Sequence, residues 1–178
     1  MNATTQLPHV VIETDHDSIT VEIDTASAPG TAANFLHYVQ NGFYDGGRFH
    51  RTVTPVNQPN DEIRIEVIQG GTDPERDDER NAPIQLERTS VTNLNHLDGT
   101  ISMARLAPDS AVSDFSICIG DQQSLDFGGM RNPDGQGFAA FGHVIDGMDV
   151  VRAIQQQPHE GQRLTPPVTI QRIRIVTE

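Results

Sequence analysis

The first patterned part of the chain is a pair of apolar stretches joined by a short polar segment. Val10, Val11 and Ile12 form the first stretch, and in the second stretch Ile19, Val21 and Ile23 alternate with polar residues. Residues 14–18 between them are polar throughout. Alternation with a period of two on either side of a short polar link predicts an antiparallel β-hairpin.

Two later segments have the spacing of amphipathic helices. In the first, apolar residues fall at positions i, i+3, i+4 and i+7, namely Ala32, Phe35, Leu36 and Val39. Pro29 near its start and Gly42 just beyond its end predict a helix of about three turns. A second helix is predicted from Asp146 to Gln156, with Asp146 and Asp149 as a capping pair.

Short apolar segments separated by turn-forming residues fill most of the remaining chain. They lie around Phe49 and at 63–68, 100–103, 115–119 and 138–144. Many short strands with turns between them predict an antiparallel barrel or sandwich. The strand-like segment 168–176 is expected to close the sheet against the N-terminal hairpin. Segments 72–81 and 127–137 are polar or glycine-rich, and we expect both to be loops.

Composition narrows the classes of function that remain. The chain has 178 residues with 25 acidic and 12 basic side chains, all 12 of them arginine, for a net charge of −13. Such a charge repels phosphate groups, so nucleic acids and membrane surfaces are poor partners. The single cysteine, Cys118, excludes an internal disulfide and a cysteine zinc site. The seven histidines have no metal-ligand spacing, so no metal or other cofactor is expected.

Domain organisation and location follow from what the sequence lacks. No internal repeat or linker divides the chain, which predicts one domain over residues 1–178 and a monomer. The N-terminal residues have neither the basic nor the apolar segment of a secretory signal, so a cytoplasmic location is expected.

Several short motifs follow one another along nearly the whole chain: APGTAANF (28–35), FYD (43–45), FHR (49–51), IQGG (68–71), GTISMA (99–104), FSI (115–117) and FGHVIDGM (141–148). In this order they resemble the cyclophilin family of peptidyl-prolyl cis-trans isomerases, in a bacterial-like form. The resemblance implies a closed eight-stranded antiparallel β-barrel capped by two α-helices, with the substrate site on its outer face. It also implies an enzyme that rotates X–Pro bonds in peptides and flexible or unfolded protein segments without a cofactor.

The resemblance gives particular residues particular roles. Arg51 matches the family's catalytic arginine, and Gln69 matches the glutamine that holds the arginine side chain. A fixed guanidinium suits this reaction, because the rotating amide loses its resonance and the prolyl nitrogen regains its lone pair. The residues implied to bind substrate are His50, Val67, Ala104, Arg105, Leu125 and Phe138, with Arg105 acting through its main chain.

The apolar pocket implied by the resemblance departs from the family pattern. Glu66, Ser116 and Ser124 stand where large aromatic rings are usual. Because rings that bind proline are missing, a noncatalytic proline-peptide binding or chaperone module on the same barrel is the alternative to an isomerase. The acidic composition favours basic or neutral peptides as ligands.

An insertion follows the FHR motif. Residues 54–66 make the link between Arg51 and Gln69 longer than is typical of the family. We expect the insertion to lengthen a hairpin beside the site. Three apolar side chains are candidates to refill the pocket: Val56, Ile63 and Phe127.

Overall fold

A computed structural model describes residues 6–176, which contain nine β-strands. The strands are β1 (His9–Thr14), β2 (Ser18–Ile23), β3 (Arg48–Val53), β4 (Val67–Gly71), β5 (Thr100–Met103), β6 (Phe115–Cys118), β7 (Ala140–Asp146), β8 (His159–Glu160) and β9 (Arg163–Val176). β1 and β2 pair in antiparallel register, which confirms the predicted hairpin.

Eight of these strands form a closed ring in the order β1-β2-β7-β5-β6-β4-β3-β9, and β9 pairs back with β1. All the pairings are antiparallel. The closing pair aligns Val10 with Ile175 and Ile12 with Ile173, so the last strand meets the N-terminal hairpin as predicted. The short β8 only extends the sheet beyond β9. The architecture is therefore a closed barrel and not a sandwich.

The two predicted helices are present as α1 (Pro29–Gln40) and α3 (Met148–Gln155), and a short helix α2 (Thr89–Thr92) lies between them. The predicted capping pair of α3 is wrong. Asp146 is the last residue of β7, and the helix is preceded by Gly147 at φ 98° with no side-chain cap. Here a Cβ would lie 2.7 Å from the Ser18 carbonyl oxygen, so this sharp turn requires glycine.

Aromatic rings fill the barrel interior at the α1 end. Phe35 of α1 packs against Tyr44, Phe115 and Phe141, with ring centroids 5.1–5.7 Å apart. All four rings are fully buried. The interior of an eight-stranded barrel is narrow enough for side chains to fill it, and this one is filled in that way by buried rings. A substrate must therefore bind on the outside.

Some predicted boundaries need correction. The segment 63–68 is not one strand, since β4 begins at residue 67 and 54–66 consists of turns and irregular chain. Residues 72–81 contain a short 3₁₀ helix, Pro74–Glu79, with no buried residue. The segment 127–137 is a loop, as predicted. No helix among residues 6–176 is both long enough and apolar enough to span a membrane.

Candidate active site

Four polar side chains lie in one row across four neighbouring strands. Arg51 on β3 pairs in register with Gln69 on β4, Gln69 pairs with Ser116 on β6, and Ser116 pairs with Ser102 on β5. Their neighbours Ile68 and Ile117 are buried in the barrel core. Side chains alternate along a strand, so Gln69 and Ser116 point to the outside.

This row forms the middle of a cleft of about 640 Å³ on the barrel surface. At one end the cleft is lined by apolar side chains from β4 and three loops, namely Ile65, Val67, Leu125 and Phe138. At the other end it is lined by Arg80, Ala104 and Asp114, where the Ala104 amide donates to the Asp114 carbonyl at 3.0 Å. The cleft therefore has an apolar end, a polar end and Arg51 between them.

The Arg51 guanidinium is held by two glutamines. Its Nη1 donates to Gln69 Oε1 at 2.9 Å, and its Nε and Nη2 both donate to Gln162 Oε1, at 2.9 and 2.7 Å. None of the ion pairs found within residues 6–176 involves Arg51, so none of the described carboxylates contacts its guanidinium directly. Burial lowers the pKa of Arg51, yet a guanidinium stays protonated at any physiological pH.

A second layer of side chains fixes the two glutamines. Gln69 Nε2 donates to Asp114 Oδ2 at 3.2 Å, and Gln162 Nε2 donates to the Asn57 carbonyl at 3.3 Å. Asp114 also lies 3.7 Å from His50 Nε2. His50 is therefore next to the cleft but does not line it. Asp114 and Gln162 were not identified from the sequence, because nothing local marks them and Gln162 is 111 residues from Arg51.

Arg105 contributes its side chain to the cleft wall and leaves its main chain free. The guanidinium forms a bidentate pair with Asp134, at 2.9 and 3.1 Å, and lies 4.7 Å over the Phe138 ring. No hydrogen bond within residues 6–176 uses the main-chain N–H or C=O of Arg105. The edge at Ala104 and Arg105 can therefore pair with an extended peptide.

The apolar end is filled differently from the expectation. Val56 is 85% exposed and Ile63 is 38% exposed, and neither they nor Phe127 lines the cleft, so all three candidates are wrong. Ile65 is the insertion residue that is buried there, 6% exposed. It packs in a cluster with Val53, Val67, Cys118, Leu125 and Phe138.

Gln58 explains why Ile65 turns inward. Its buried amide donates to the carbonyls of Thr54 and Ile65, at 2.8 and 2.6 Å, and accepts from the Ile65 amide at 3.1 Å. These bonds fold 54–66 into a compact turn and not into the longer hairpin that we expected. Glu66 points away from the cleft and accepts from Gln155 at 3.2 Å.

A buried Ser-His-Asp network lies behind the cleft floor. His96 Nε2 is 2.8 Å from Ser102 Oγ, and His96 Nδ1 is 2.7 Å from Asp126 Oδ1. Ser102 is only 2% exposed and lies on a strand paired on both sides, so its hydroxyl is not presented to a substrate as a nucleophile. The network instead ties β5 to the segment that carries Leu125.

Comparison with known proteins decides the family. A model described as cyclophilin type peptidyl-prolyl cis-trans isomerase/CLD matches residues 9–175. The chain belongs to the cyclophilin family. This cyclophilin is 34% identical over 182 residues to peptidyl-prolyl cis-trans isomerase A of Dickeya dadantii, covering 98% of this chain and 87% of the relative. It is 37% identical over 149 residues to isomerase cyp18 of Streptomyces antibioticus, covering 82% of each.

The fold of this cyclophilin is also found among solved structures. A Cryptosporidium parvum cyclophilin type isomerase, crystallised in the presence of the dipeptide Ala-Pro, aligns with a TM-score of 0.75 at 21% identity over 96% of this chain and 99% of that chain. Among residues 6–176, no group of three or more His, Cys, Asp and Glu side chains is placed to hold a metal ion. The peptidyl-prolyl cis-trans isomerase activity of the family is the activity of this protein.

Proposed function

We propose that this cyclophilin accelerates X–Pro rotation by holding the Arg51 guanidinium against the prolyl amide as it twists. Rotation is opposed by about 18–20 kcal/mol of amide resonance, and in the twisted state the nitrogen has a lone pair that accepts a hydrogen bond. The observation that supports this role is the fixation of Arg51 by Gln69 and Gln162 with no carboxylate partner. Because the donor is held in place before substrate binds, it needs no reorganisation during the reaction.

The rest of the cleft accounts for substrate binding. The proline ring would occupy the apolar end, against Ile65, Val67, Leu125 and Phe138. The extended main chain would pair with the main chain of Arg105 and with the Ala104 carbonyl, since the Ala104 amide is already bonded to Asp114. His50 would act through Asp114, since it lies beside the cleft and not in it.

The test compares Arg51→Ala with the wild type in exchange NMR of an Ala-Pro peptide. Loss of a donor to the transition state is expected to lower kcat/KM about 100-fold. Arg152→Ala is the control, because Arg152 is an exposed arginine that does not line the cleft. Full activity in Arg51→Ala would overturn the mechanism. A wild type that shifts peptide resonances without accelerating exchange would favour the noncatalytic binding module.

We also propose that residues 1–178 are a single domain that works as a monomer in the cytoplasm on proline-containing peptides and flexible protein segments. Sedimentation equilibrium tests the monomer, limited proteolysis tests the single domain, and cell fractionation tests the location. We expect neither nucleic acids nor membranes as partners, because a net charge of −13 repels phosphate groups. A binding assay at low salt tests this expectation.

A further inference from the structure

The cleft differs in charge from the rest of the protein. Four of the 12 arginines line it, namely Arg51, Arg80, Arg105 and Arg131, whereas Asp114 is the only carboxylate among its lining residues. The chain as a whole carries a net charge of −13. The net charge of the whole chain is therefore strongly negative, whereas the side chains that line the cleft are mostly basic among their charged members.

Arg131 is held in the cleft by residues of insertion 54–66. It belongs to the loop 127–137, and its Nη1 donates to Gln58 Oε1 and to the Ile63 carbonyl, both at 2.8 Å. Its side chain is 12% exposed and lies 3.3 Å from Asp61. Insertion 54–66 thus holds the guanidinium in one orientation at the apolar end of the cleft.

The other three lining arginines differ from Arg131 in their acidic partners and in their position in the cleft. Arg105 is paired bidentately with Asp134 inside the wall. Arg80 lies at the opposite end, 3.8 Å from Asp77. Arg51 has no acidic partner among the described residues and is committed to the prolyl amide. Arg131 is also ion-paired, with Asp61 at 3.3 Å, but only through Nη1, and its Nε and Nη2 make no hydrogen bond with the described residues. Arg131 is therefore a fixed charge with donors left for a neighbour of the proline.

Arg131 and Arg51 also act on each other. The charge of Arg131 contributes to lowering the pKa of Arg51, which means that the two cations repel each other in the free protein. The nearby Asp61 carboxylate only partly offsets this repulsion, since it is the smaller influence on the pKa of Arg51 and its side chain is half-exposed. An anion bound in the cleft would relieve it.

We propose that this cyclophilin prefers segments in which an acidic side chain directly flanks the proline, and that Arg131 is the residue that selects it. The inference rests on the function proposed above. It runs opposite to the expectation from overall composition, which favours basic or neutral peptides. The two expectations differ because a proline bound at the apolar end would place its neighbours beside Arg131, which is fixed there, whereas the acidic surface is screened by salt over about 10 Å.

The experiment measures kcat/KM by exchange NMR for two pairs of peptides, with Glu or Gln placed immediately before the proline in one pair and immediately after it in the other. At low salt we expect Glu to exceed Gln by about threefold to fivefold at one flank or at both, as a partly exposed ion pair gives. The ratio should fall towards one in about 0.5 M NaCl, where the Debye length is only a few ångströms.

Three variants test whether Arg131 causes the preference for Glu over Gln. Arg131→Gln should bring the Glu/Gln ratio towards one, and Asp61→Asn should raise it by removing the competing carboxylate. Arg152→Gln is the matched control, because it changes the net charge as much as Arg131→Gln does without altering the cleft. Its ratio should equal that of the wild type.

The outcomes separate the two proposals. If the wild type accelerates no peptide, the proposed function fails. If it accelerates Glu and Gln peptides equally at both flanks, only the acidic preference is overturned. A ratio that persists in Arg131→Gln and does not rise in Asp61→Asn overturns the assignment to Arg131. Should Arg131→Gln not fold, Asp61→Asn still decides this point.

Discussion

At the scale of single residues, the orientation of Arg51 depends on a side chain that is distant in sequence. Gln162 accepts two of the three hydrogen bonds that fix the guanidinium. It is itself held by the Asn57 carbonyl within insertion 54–66. The insertion therefore holds two arginines that line the cleft, Arg131 directly and Arg51 through Gln162.

Replacement of Gln162 tests it as a positioning residue. In Gln162→Ala the guanidinium keeps its bond to Gln69 but gains freedom, so we expect kcat to fall about tenfold, the equivalent of 1.4 kcal/mol, with little change in KM. A structural role alone would lower the amount of folded protein and leave kcat per folded molecule unchanged. Gln171→Ala, an exposed glutamine of β9, is the control. An unchanged kcat in Gln162→Ala would contradict this role.

At the scale of elements, insertion 54–66 rebuilds the apolar end of the cleft. Ile65 lies in the cluster with Val67, Leu125 and Phe138, while Ile63, two residues earlier, stays largely outside it. Gln58 causes this difference through its bonds to the main chain of Ile65. Where the resemblance implies an aromatic ring at position 66, the apolar end of the cleft is lined by the aliphatic side chain of Ile65, one residue earlier.

The pair Ile65→Ala and Ile63→Ala tests the rebuilt pocket. Truncating a buried isoleucine should cost about 2–4 kcal/mol of unfolding free energy, and the loss of a pocket wall should raise KM. Ile63→Ala should change either quantity less, because Ile63 is 38% exposed and does not belong to the buried cluster. Urea unfolding and peptide kinetics measure the two effects. Equal effects from the two substitutions would contradict the assignment of Ile65 to the pocket.

The seam where β1 meets β9 closes the barrel and has its own ion cluster. Glu13 on β1 pairs with Arg172 and, at 3.4 Å, with Arg174 on β9. The hydrogen bond from Arg172 is the main cause that lowers the pKa of Glu13. A lowered pKa in the folded state stabilises the fold at pH values above the ordinary range of glutamate, and this contribution is lost as the pH falls through the lowered value.

Glu13→Gln should therefore melt below the wild type at neutral pH, and the gap in Tm should narrow as the pH falls from about 6 to about 3. The effect should be small because the pair is solvent-exposed. Glu160→Gln is the control, since Glu160 is an exposed strand residue with no ion-pair partner among the described residues. A gap in Tm that widens on acidification would contradict the assignment, and calorimetry over this range measures it.

At the scale of the whole molecule, acidic side chains greatly outnumber basic ones. With 25 acidic and 12 basic residues, the folded chain repels itself more than the expanded unfolded chain does. Raising NaCl from about 0.02 to about 0.5 M screens this repulsion and should raise Tm. Calorimetry at pH 7 measures it. A Tm that is flat or falls with salt would show that the local pairs, such as Arg105 with Asp134, outweigh the net charge.

The sequence by itself predicted the strands and the two helices from local pattern, and its resemblance to the family implied the closed barrel and the central pair of the site. Period-two strands and the helical spacing of α1 and α3 depend on neighbours in the chain, so local pattern reveals them. Arg51 and Gln69 were identified by motifs, and the register of β3 with β4 brings them into contact.

Only the tertiary structure decided which other side chains complete the site. Gln162 contacts Arg51 from one loop, Asp114 and Arg131 line the cleft from two others, and no local pattern encodes a contact across 111 residues. Of Val56, Ile63 and Ile65, it is Ile65 that is buried at the apolar end of the cleft. Hydrogen bonds from Gln58 set the direction of the chain there. The physical reason is the same in each case: periodicity reports which face of an element is apolar, whereas contacts between loops depend on how the closed barrel brings distant segments together.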